Sequence, residues 1–333
     1  MIKTKAIQIE STGGPDVLKL VDLGLPAPTQ DQIVVKNSFV GVNYIDTYFR
    51  RGMYPANLPH ILGREAAGEI IETGSNIIEF KKGDRIAYLF GDAYSEYVLL
   101  QKIIPKDEVL PPDISDKVGA AALLQGLTAL TLIREAYQAK KGDYILVHAA
   151  AGGMGLQLCQ LLSSLGAHVI GTTSTSEKAA LAQSNGAEFI INYTTEDVVE
   201  KVKEITNGVG VDAVLDGVGK DTFETSLECV KRKGTLISFG SASGVVPPIS
   251  ISRLSPKNVK LLRPSLFGYI TTKAEWDRHS TDLIQLLQNG SLKIRIHEIY
   301  PLGEASRAHI DLESRGTTGK LLLQPYISQK YIA

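Results

Sequence analysis

The stretch YILVHAAAGGMG, residues 144–155, decides how this chain folds. Its apolar first half predicts a buried strand, and Ala150, Gly152 and Gly155 follow at the spacing of an A-x-G-x-x-G dinucleotide fingerprint. A side chain at Gly152 would block the approach of a pyrophosphate to the backbone, and one at Gly155 would hold the next helix away from the strand. A helix beginning near Met154 would present its N-terminal amides to the phosphates. A tight turn in a protein without cofactor is the alternative explanation.

The residues around this stretch alternate between apolar strands and helices. Predicted strands are 144–148, 168–172, 188–191, 213–216 and 235–239; predicted helices are about 154–165, 177–185, 196–206 and 221–231. This alternation, with nearly continuous apolar strands, predicts a parallel, doubly wound sheet of the α/β class. A last strand is expected after Pro247-Pro248, with Ile249 and Ile251 offering an edge.

The two ends of the chain have a different pattern. Residues 1–110 form short apolar runs separated by Gly- and Pro-rich turns, which predicts an antiparallel, barrel-like region. Helices are predicted over 118–137 and 275–289, and a final strand over 320–324.

The residues after the second strand indicate which dinucleotide would bind. NAD-specific sites place an acidic residue about 20 positions after the glycines, where it accepts the ribose hydroxyls. Here Ser174 occupies that position and Lys178 follows it, which suits a 2′-phosphate and favours NADP. Glu177 is a counter-signal, but it lies at a predicted helix start, where a capping role explains it. For Lys178, an ordinary solvated helix residue is the alternative.

Composition excludes several classes of protein. The 333 residues carry 35 Lys and Arg against 36 Asp and Glu, a net charge of −1, which argues against a broad basic face for nucleic acid. Two cysteines cannot form a disulfide framework, and none of the six histidines has a second ligand at metal spacing. No secretory signal is visible, and the longest apolar stretch, 118–133, falls short of a membrane span. A cytoplasmic protein is expected.

Six motifs together resemble one family, the zinc-independent quinone oxidoreductases, or zeta-crystallin group, of the medium-chain dehydrogenase/reductase superfamily. The resemblance runs over nearly the full chain, and a departure is Met154, where the family commonly has Val. The motifs are Gly41–Tyr48, Leu62–Gly68, His148–Gly155, Ser238–Gly240, Arg263–Leu266 and Leu312–Arg315.

The resemblance implies a two-domain α/β subunit that reduces quinones with NADPH. A GroES-like β-barrel catalytic domain would comprise residues 1–125 and 264–333, and a Rossmann domain, residues 126–263, would bind NADPH. A homodimer is implied as well. Reduction of enals and enones is the neighbouring activity, and a secondary role in binding AU-rich RNA is the alternative of a different class, without support from the charge.

The resemblance also implies which residues form the site. Asn43, Asp46 and Tyr48 would stand near the nicotinamide, and Tyr48 and Tyr54 would face the quinone as hydrogen-bond donors or as pocket lining. The remaining cofactor residues are implied to be Thr131 near the nicotinamide, Gly152, Gly153 and Met154 at the pyrophosphate, Ser174, Lys178, Tyr193 and Arg315 at the 2′-phosphate, and Phe239, Gly240, Ser241, Ser265 and Phe267 around the nicotinamide ribose.

No metal is expected. Zinc-dependent relatives carry a histidine in the segment where this chain has Arg64, and no cysteine precedes Cys159. A guanidinium cannot ligate zinc. Arg64 is expected to pair with a nearby carboxylate such as Glu65 or Asp46.

Overall fold

The computed structural model describes residues 1–89, 91–101 and 107–326. These residues form two compact units. Unit 1 takes those within Met1–Leu124, Thr272–Gln288 and Ile296–Ala333, and unit 2 takes Gln125–Thr271 and Asn289–Arg295. Residues 264–271 and 289–295, which the prediction gave to the catalytic domain, therefore lie in unit 2. The functional assignment of the two parts stays a prediction.

Unit 1 is built from two mainly antiparallel sheets. One has the order β2-β1-β4, and the other runs β15-β16-β3-β5-β6-β8 with β7 also paired to β3. Only β15 and β16 pair in parallel. The strands are β1 (Ile2–Ile9), β2 (Lys19–Leu25), β3 (Gln32–Val42), β4 (His60–Ile61), β5 (Ala66–Thr73), β6 (Arg85–Tyr88), β7 (Tyr97–Gln101), β8 (Asp107–Val109), β15 (Ile296–Pro301) and β16 (Lys320–Gln324).

Unit 1 contains the helices α1 (Tyr44–Arg50), α8 (Lys273–Gln288) and α9 (Ala305–Glu313), with 3₁₀ turns at Pro15–Val17 and Leu302–Glu304. Helix α2 (Asp116–Thr131) begins in unit 1, and its residues from Gln125 onward belong to unit 2, together with the π-helical turn at Leu132–Ala136 that continues it. The helix expected over 118–137 thus changes its hydrogen-bond register near its end. By length and hydropathy Asp116–Ala136 could cross a membrane, but 67% of the window is buried inside the structure, as in a core helix.

Unit 2 holds one six-stranded parallel sheet with the order β11-β10-β9-β12-β13-β14. Counted from β9, this order is 3-2-1-4-5-6, so the predicted doubly wound fold is confirmed. Its strands are β9 (Tyr144–Val147), β10 (His168–Thr173), β11 (Phe189–Asn192), β12 (Val211–Asp216), β13 (Val230–Ser238) and β14 (Lys260–Leu262). Its helices are α3 (Gly153–Ser164), α4 (Ser176–Ser184), α5 (Val198–Ile205), α6 (Phe223–Cys229) and α7 (Leu266–Tyr269), with a 3₁₀ turn at Ile251–Leu254.

Two expectations for unit 2 were wrong in detail. The helix expected over 221–231 ends at Cys229, because Val230 already pairs with Val211 across an irregularity that begins β13. Ile249 and Ile251 do not form a strand: Ile249 packs against the core, and Ile251 begins the 3₁₀ turn. The edge strand is β14 instead, which pairs in parallel with β13 from Thr235 to Ile237.

Candidate active site

The predicted residues Asn43 and Asp46 meet at the start of α1. β3 ends at Val42, and Asn43 is extended, with φ −132° and ψ 154°, before the helix begins. The Asn43 backbone N–H donates to Asp46 Oδ2 at 2.8 Å. Tyr94 donates its hydroxyl to the same oxygen at 3.1 Å. Asp46 is fully buried, and its Oδ1 has no hydrogen-bond partner among the described residues.

Burial dominates the electrostatics of Asp46. Desolvation raises the pKa of its carboxyl to about 7, although the Asn43 amide, the Lys320 ammonium, the Tyr94 hydroxyl and the Arg64 guanidinium all act to lower it. A carboxyl with this pKa exchanges its proton near neutral pH. The arrangement therefore offers a buried oxygen, Oδ1, that can accept or donate one hydrogen bond to a ligand.

The side chain of Asn43 is occupied within the protein. Lys320 Nζ donates to Asn43 Oδ1 at 2.6 Å and to Glu65 Oε2 at 2.6 Å. Asn43 Nδ2 donates to Glu65 Oε2 at 3.0 Å, and the Leu124 amide donates to the other Glu65 oxygen at 2.7 Å. Because both Lys320 and Glu65 are buried, this pair is an ion pair inside the core. The geometry makes Asn43 a residue that holds the start of α1 in place.

Tyr48 and Tyr54 come together because the chain after α1 folds back. The Met53 and Tyr54 amides donate to the Tyr48 carbonyl at 2.9 and 3.2 Å. The two rings meet edge to face with centroids 5.4 Å apart. Tyr48 is buried and Tyr54 half-buried. The structure thus brings together the two tyrosines that were predicted to face the substrate.

Arg64 forms no ion pair with Glu65 or Asp46, so the expected pairing was wrong, although its charge acts to lower the pKa of the Asp46 carboxyl. Glu65 is held by Lys320, and the Arg64 guanidinium lies over the Phe49 ring at 4.2 Å from the centroid. Phe49 in turn contacts Tyr54 with centroids 5.6 Å apart. The cation therefore supports the aromatic cluster beside α1.

A buried series of hydrogen bonds, which sequence reasoning missed, ends on Asp46. Arg50 Nη1 donates to His309 Nδ1 at 3.0 Å, and His309 Nε2 lies 3.0 Å from the Tyr94 hydroxyl. Since arginine only donates, His309 carries its proton on Nε2 and gives it to Tyr94, which gives its own to Asp46. Burial and the Arg50 charge lower the pKa of His309 to about 3. Glu313 neutralises Arg50 at 2.9 Å. His309 lies 259 residues from Arg50, and no motif links them.

The fingerprint loop of unit 2 has room only for glycine on its inner side. A Cβ at Gly155 would collide with the Ala149 carbonyl oxygen and lie 2.7 Å from Ala150 Cα. Gly152, Gly153 and Met154 are partly exposed, at the start of α3. β9 and β12 are neighbours at which the strand order reverses, and this is where such sheets bind dinucleotides. The loop fits the pyrophosphate of NADPH.

The predicted 2′-phosphate residues of unit 2 lie at one edge of its sheet. Ser174 and Tyr193 directly follow Thr173 and Asn192, which pair across β10 and β11. Lys178 lies in the first turn of α4, where its amide donates to the Thr175 hydroxyl at 3.3 Å. Arg315 belongs to unit 1, where it has a left-handed φ of 62° after α9.

Glu177, the counter-signal for NAD, has the capping role that was expected. Hydrogen bonds from its own amide and from the Thr175 side chain lower the pKa of its carboxyl. The negative charge of Glu177 therefore stabilises the N-terminus of α4.

The predicted ribose residues follow β13 and are braced by Arg263. Its guanidinium donates to the carbonyls of Ser238 and Gly240, both at 2.8 Å, and to the Ser241 hydroxyl at 3.2 Å. Phe239 is half-buried between these residues. Sequence reasoning quoted Arg263 only as part of a motif and missed this bracing role.

Three other predicted cofactor residues lie elsewhere in unit 2. Ser265 precedes α7, and Phe267 lies within it. Thr131 is buried at the end of α2 and donates to the Thr128 carbonyl at 3.0 Å. The cofactor contacts of these residues stay a prediction.

The described residues do not fit a zinc ion. Within them, no group of three or more His, Cys, Asp or Glu side chains could hold a metal. Cys159 and Cys229 are both buried, and burial raises the pKa of each thiol to about 12. Neither cysteine belongs, in the ranges that the structure describes, to a group with the three or four ligands that a zinc site requires.

Comparison with known proteins relates the whole chain to oxidoreductases. A model described as alcohol dehydrogenase GroES-like domain matches residues 29–104, and one described as zinc-binding dehydrogenase matches residues 153–287. A probable quinone oxidoreductase of Schizosaccharomyces pombe is 46% identical, over 95% of this chain and 96% of that protein. A 2-haloacrylate reductase of a Burkholderia species is 39% identical, over 96% and 98%.

A solved structure agrees with these sequence matches. The crystal structure of Escherichia coli quinone oxidoreductase complexed with NADPH superposes with a TM-score of 0.93 at 44% identity, covering 96% of this chain and 100% of that one. Identity at this level over nearly the full length leaves one conclusion. The chain belongs to the quinone oxidoreductase family of the medium-chain dehydrogenase/reductase superfamily.

Proposed function

We propose that this protein reduces quinones with NADPH and without a metal ion. The observation that carries the proposal is the fingerprint loop at the reversal point of a 3-2-1-4-5-6 sheet, with Ser174 and Lys178 at the position that selects the cofactor. The full-length similarity to quinone oxidoreductases supplies the substrate class.

The residues of the chain orient the reactants and stabilise developing charge. NADPH, when bound, supplies the hydride. A quinone is already electrophilic, so positioning and hydrogen bonding are sufficient help from the protein. Tyr48 and Tyr54 are proposed to donate hydrogen bonds to the quinone oxygen as negative charge develops. Asp46 is proposed to position the nicotinamide end through its buried Oδ1, and Asn43 to keep Asp46 in place.

The tyrosine role has a direct test. Tyr48→Phe and Tyr54→Phe keep the rings and remove the donors. We expect each variant to lower the rate of hydride transfer, and the double variant to lower it further, with NADPH affinity retained. Wild-type rates in all three variants would reduce the tyrosines to pocket lining.

The cofactor preference rests on charge. Within unit 2, Lys178 is proposed to face the 2′-phosphate together with the hydroxyls of Ser174 and Tyr193. A charge-assisted hydrogen bond contributes about 1.5–3 kcal/mol, a factor of ten or more in affinity. Lys178→Ala should therefore weaken NADPH binding about tenfold and leave NADH binding nearly unchanged. Equal losses for both cofactors would show that Lys178 is no phosphate ligand.

The substrate class is the part of the proposal most in need of a test. The relative named 2-haloacrylate reductase makes activated alkenes the second candidate. We expect NADPH oxidation with 1,4-benzoquinones to exceed that with enals, enones and 2-haloacrylates at equal concentration. Oxidation with the alkenes and with none of the quinones would replace the quinone assignment by the alkene one.

A homodimer is also proposed. β14 is a three-residue edge strand of the parallel sheet, and an edge must be paired or covered. Val245 and Ile251, which precede it, are 59% and 83% exposed. A monomer in sedimentation at micromolar concentration would contradict this.

A cytoplasmic location is proposed for the same protein. The two cysteines are buried and unpaired with each other, as in proteins of reducing compartments. Recovery of the native protein in the soluble cytosolic fraction of its source cells is the expected outcome, and recovery outside the cytosol would refute it.

A further inference from the structure

A buried polar network lies beneath the fingerprint loop, at the reversal point of the sheet in unit 2. His148 directly follows β9, Thr172 lies near the end of β10, and Asp216 ends β12, while Ser226 reaches in from α6. All four side chains are almost wholly buried. Sequence reasoning quoted His148 only as part of a motif, and the network indicates a role for its side chain.

Hydrogen bonds join these four residues into one chain. Ser226 Oγ donates to Asp216 Oδ2 at 2.8 Å, and His148 Nε2 lies 3.0 Å from Ser226 Oγ. On the other side of the ring, His148 Nδ1 lies 3.2 Å from Thr172 Oγ1. Thr172 Oγ1 accepts the Ala149 amide N–H at 3.2 Å.

The direction of every bond in the chain is fixed by its acidic end. The Asp216 carboxylate only accepts hydrogen bonds, so Ser226 must donate its hydroxyl hydrogen to Asp216 and accept a hydrogen bond from His148 Nε2. A neutral His148 then has a bare Nδ1, which accepts the hydrogen of Thr172. Burial lowers the pKa of His148 although Asp216 acts to raise it, which keeps the ring neutral at pH 7.

At the Thr172 end of this hydrogen-bond chain lies Ala149, a strained residue of the fingerprint loop. Ala149 has a left-handed φ of 51°, which is unfavourable for a residue with a Cβ and persists only when its surroundings impose it. Thr172 holds this conformation through two hydrogen bonds. Its hydroxyl accepts the Ala149 amide, and its carbonyl accepts the Ala150 amide at 3.0 Å. The Ala149 carbonyl in turn accepts the Gly152 amide at 2.9 Å and faces the bare side of Gly155. The position of Ala149 therefore sets the path of the whole loop.

We propose that His148 is a positioning residue for the dinucleotide: as the neutral Nε2–H tautomer it connects Asp216, through Ser226, to Thr172, and so fixes Ala149 and the loop that faces the pyrophosphate. This inference rests on the proposed use of NADPH. It assigns no contact between His148 and the cofactor; the imidazole acts through the backbone.

Variants at the two hydroxyls test the chain without removing the ring. Thr172→Val deletes the acceptor of the Ala149 amide and should weaken NADPH binding by about threefold to tenfold, the loss of one hydrogen bond. Thr172→Ser is the matched control, which keeps the hydroxyl and should bind within about twofold of wild type. Ser226→Ala removes the bond to Asp216 and the acceptor of His148 Nε2, while Asp216 keeps the Val218 and Gly219 amides at 2.9 and 3.0 Å and the Thr222 hydroxyl.

The readouts separate positioning from general stability. Titration of the wild type and of each variant with NADPH gives the dissociation constants. In Thr172→Val, kcat at saturating NADPH should stay close to the wild-type value. Nitrogen-15 NMR of the histidine ring should identify the Nε2–H tautomer in wild type and a changed tautomer population in Ser226→Ala. A purely structural role would lower the melting temperature and leave both the dissociation constant and the tautomer unchanged.

Two results would overturn the inference. Equal NADPH affinity of Thr172→Val and wild type would remove the positioning role while leaving the proposed function intact. A charged or Nδ1–H imidazole in wild type at pH 7 would remove the hydrogen-bond chain itself. Failure of the wild-type protein to bind NADPH is a separate outcome, which would refute the proposed function and the positioning role together.

Discussion

The two units hold their candidate site residues by different physics. In unit 1, Asn43 and Asp46 are fixed by buried charged groups from distant parts of the chain, such as Lys320, which is 255 residues from its partner Glu65. In unit 2, the proposed cofactor residues follow the ends of neighbouring parallel strands, and backbone amides, glycines and hydroxyls fix them. Buried charge makes the first site costly to disturb, whereas close backbone packing makes the second intolerant of added volume.

Two of the buried histidines, one from each unit, sharpen this difference. His309 of unit 1 and His148 of unit 2 both carry their proton on Nε2, for opposite reasons. The Arg50 cation donates to Nδ1 of His309, whereas the Asp216 anion draws the Nε2 proton of His148 through Ser226. One tautomer can therefore be set by a charge of either sign, provided that the charge acts on the matching side of the ring.

The largest effect is expected from removing the buried cation of unit 1. Lys320→Met leaves Glu65 charged and uncompensated in the core, which should lower the free energy of unfolding by about 3–5 kcal/mol. Urea denaturation measures it. Lys203→Met is the control, since Lys203 and Glu200 form an exposed pair on α5 whose loss should leave the free energy of unfolding nearly unchanged. Similar small losses in both variants would mean that buried charge does not hold unit 1.

The next effect is a change in how stability depends on pH. Asp46 has a pKa of about 7 when folded and about 3.8 when unfolded, so the folded state binds the extra proton between these values. Stability from this group is present below about pH 4 and is lost as pH rises through 7. Asp46→Asn has no carboxyl to ionise at this position. The free energy of unfolding of the variant minus that of wild type should therefore increase with pH, by up to about 1.4 kcal/mol per pH unit between pH 4 and pH 7. Parallel stability curves from pH 4 to 7 would contradict the buried, proton-holding state.

In unit 2 the corresponding test adds volume rather than removing charge. Gly155→Ala forces a Cβ against the Ala149 carbonyl and the Ala150 backbone, which should lower the free energy of unfolding by about 1–3 kcal/mol and weaken NADPH binding. The stability control is Gly268→Ala, where no atom lies within 4 Å of the added carbon. If Gly155→Ala is as stable as Gly268→Ala in thermal unfolding, the loop is looser than its contacts indicate.

The smallest expected effect is local to the 2′-phosphate edge of unit 2. Thr175 caps α4 by accepting the Lys178 amide, and Thr175→Ala should cost about 1 kcal/mol of stability. Thr175→Ser keeps the oxygen and should restore most of it. Thermal unfolding of the two variants makes the comparison, and identical midpoints would show that the cap contributes nothing.

Short-range pattern was enough to predict most of unit 2. The strands and helices from Tyr144 to Ile205 lie within one or two residues of their predicted bounds, because each buried strand and each amphipathic helix is specified by its own residues. The failures at Val230 and Ile251 have a different origin. Whether an apolar run joins a sheet depends on a neighbouring strand with free hydrogen-bonding groups, and that neighbour is not local.

Residue type and spacing were enough to predict the parallel sheet, the glycines of the fingerprint loop, and the hydroxyl-and-lysine signal after the second strand. The pairing of Lys320 with Glu65, the contact of Arg64 with Phe49, and the link from Asp216 through His148 to the loop become visible in the folded chain alone. Desolvated charges and buried hydrogen-bonding groups take their partners from whatever the fold brings within about 3 Å, and no local pattern encodes that distance.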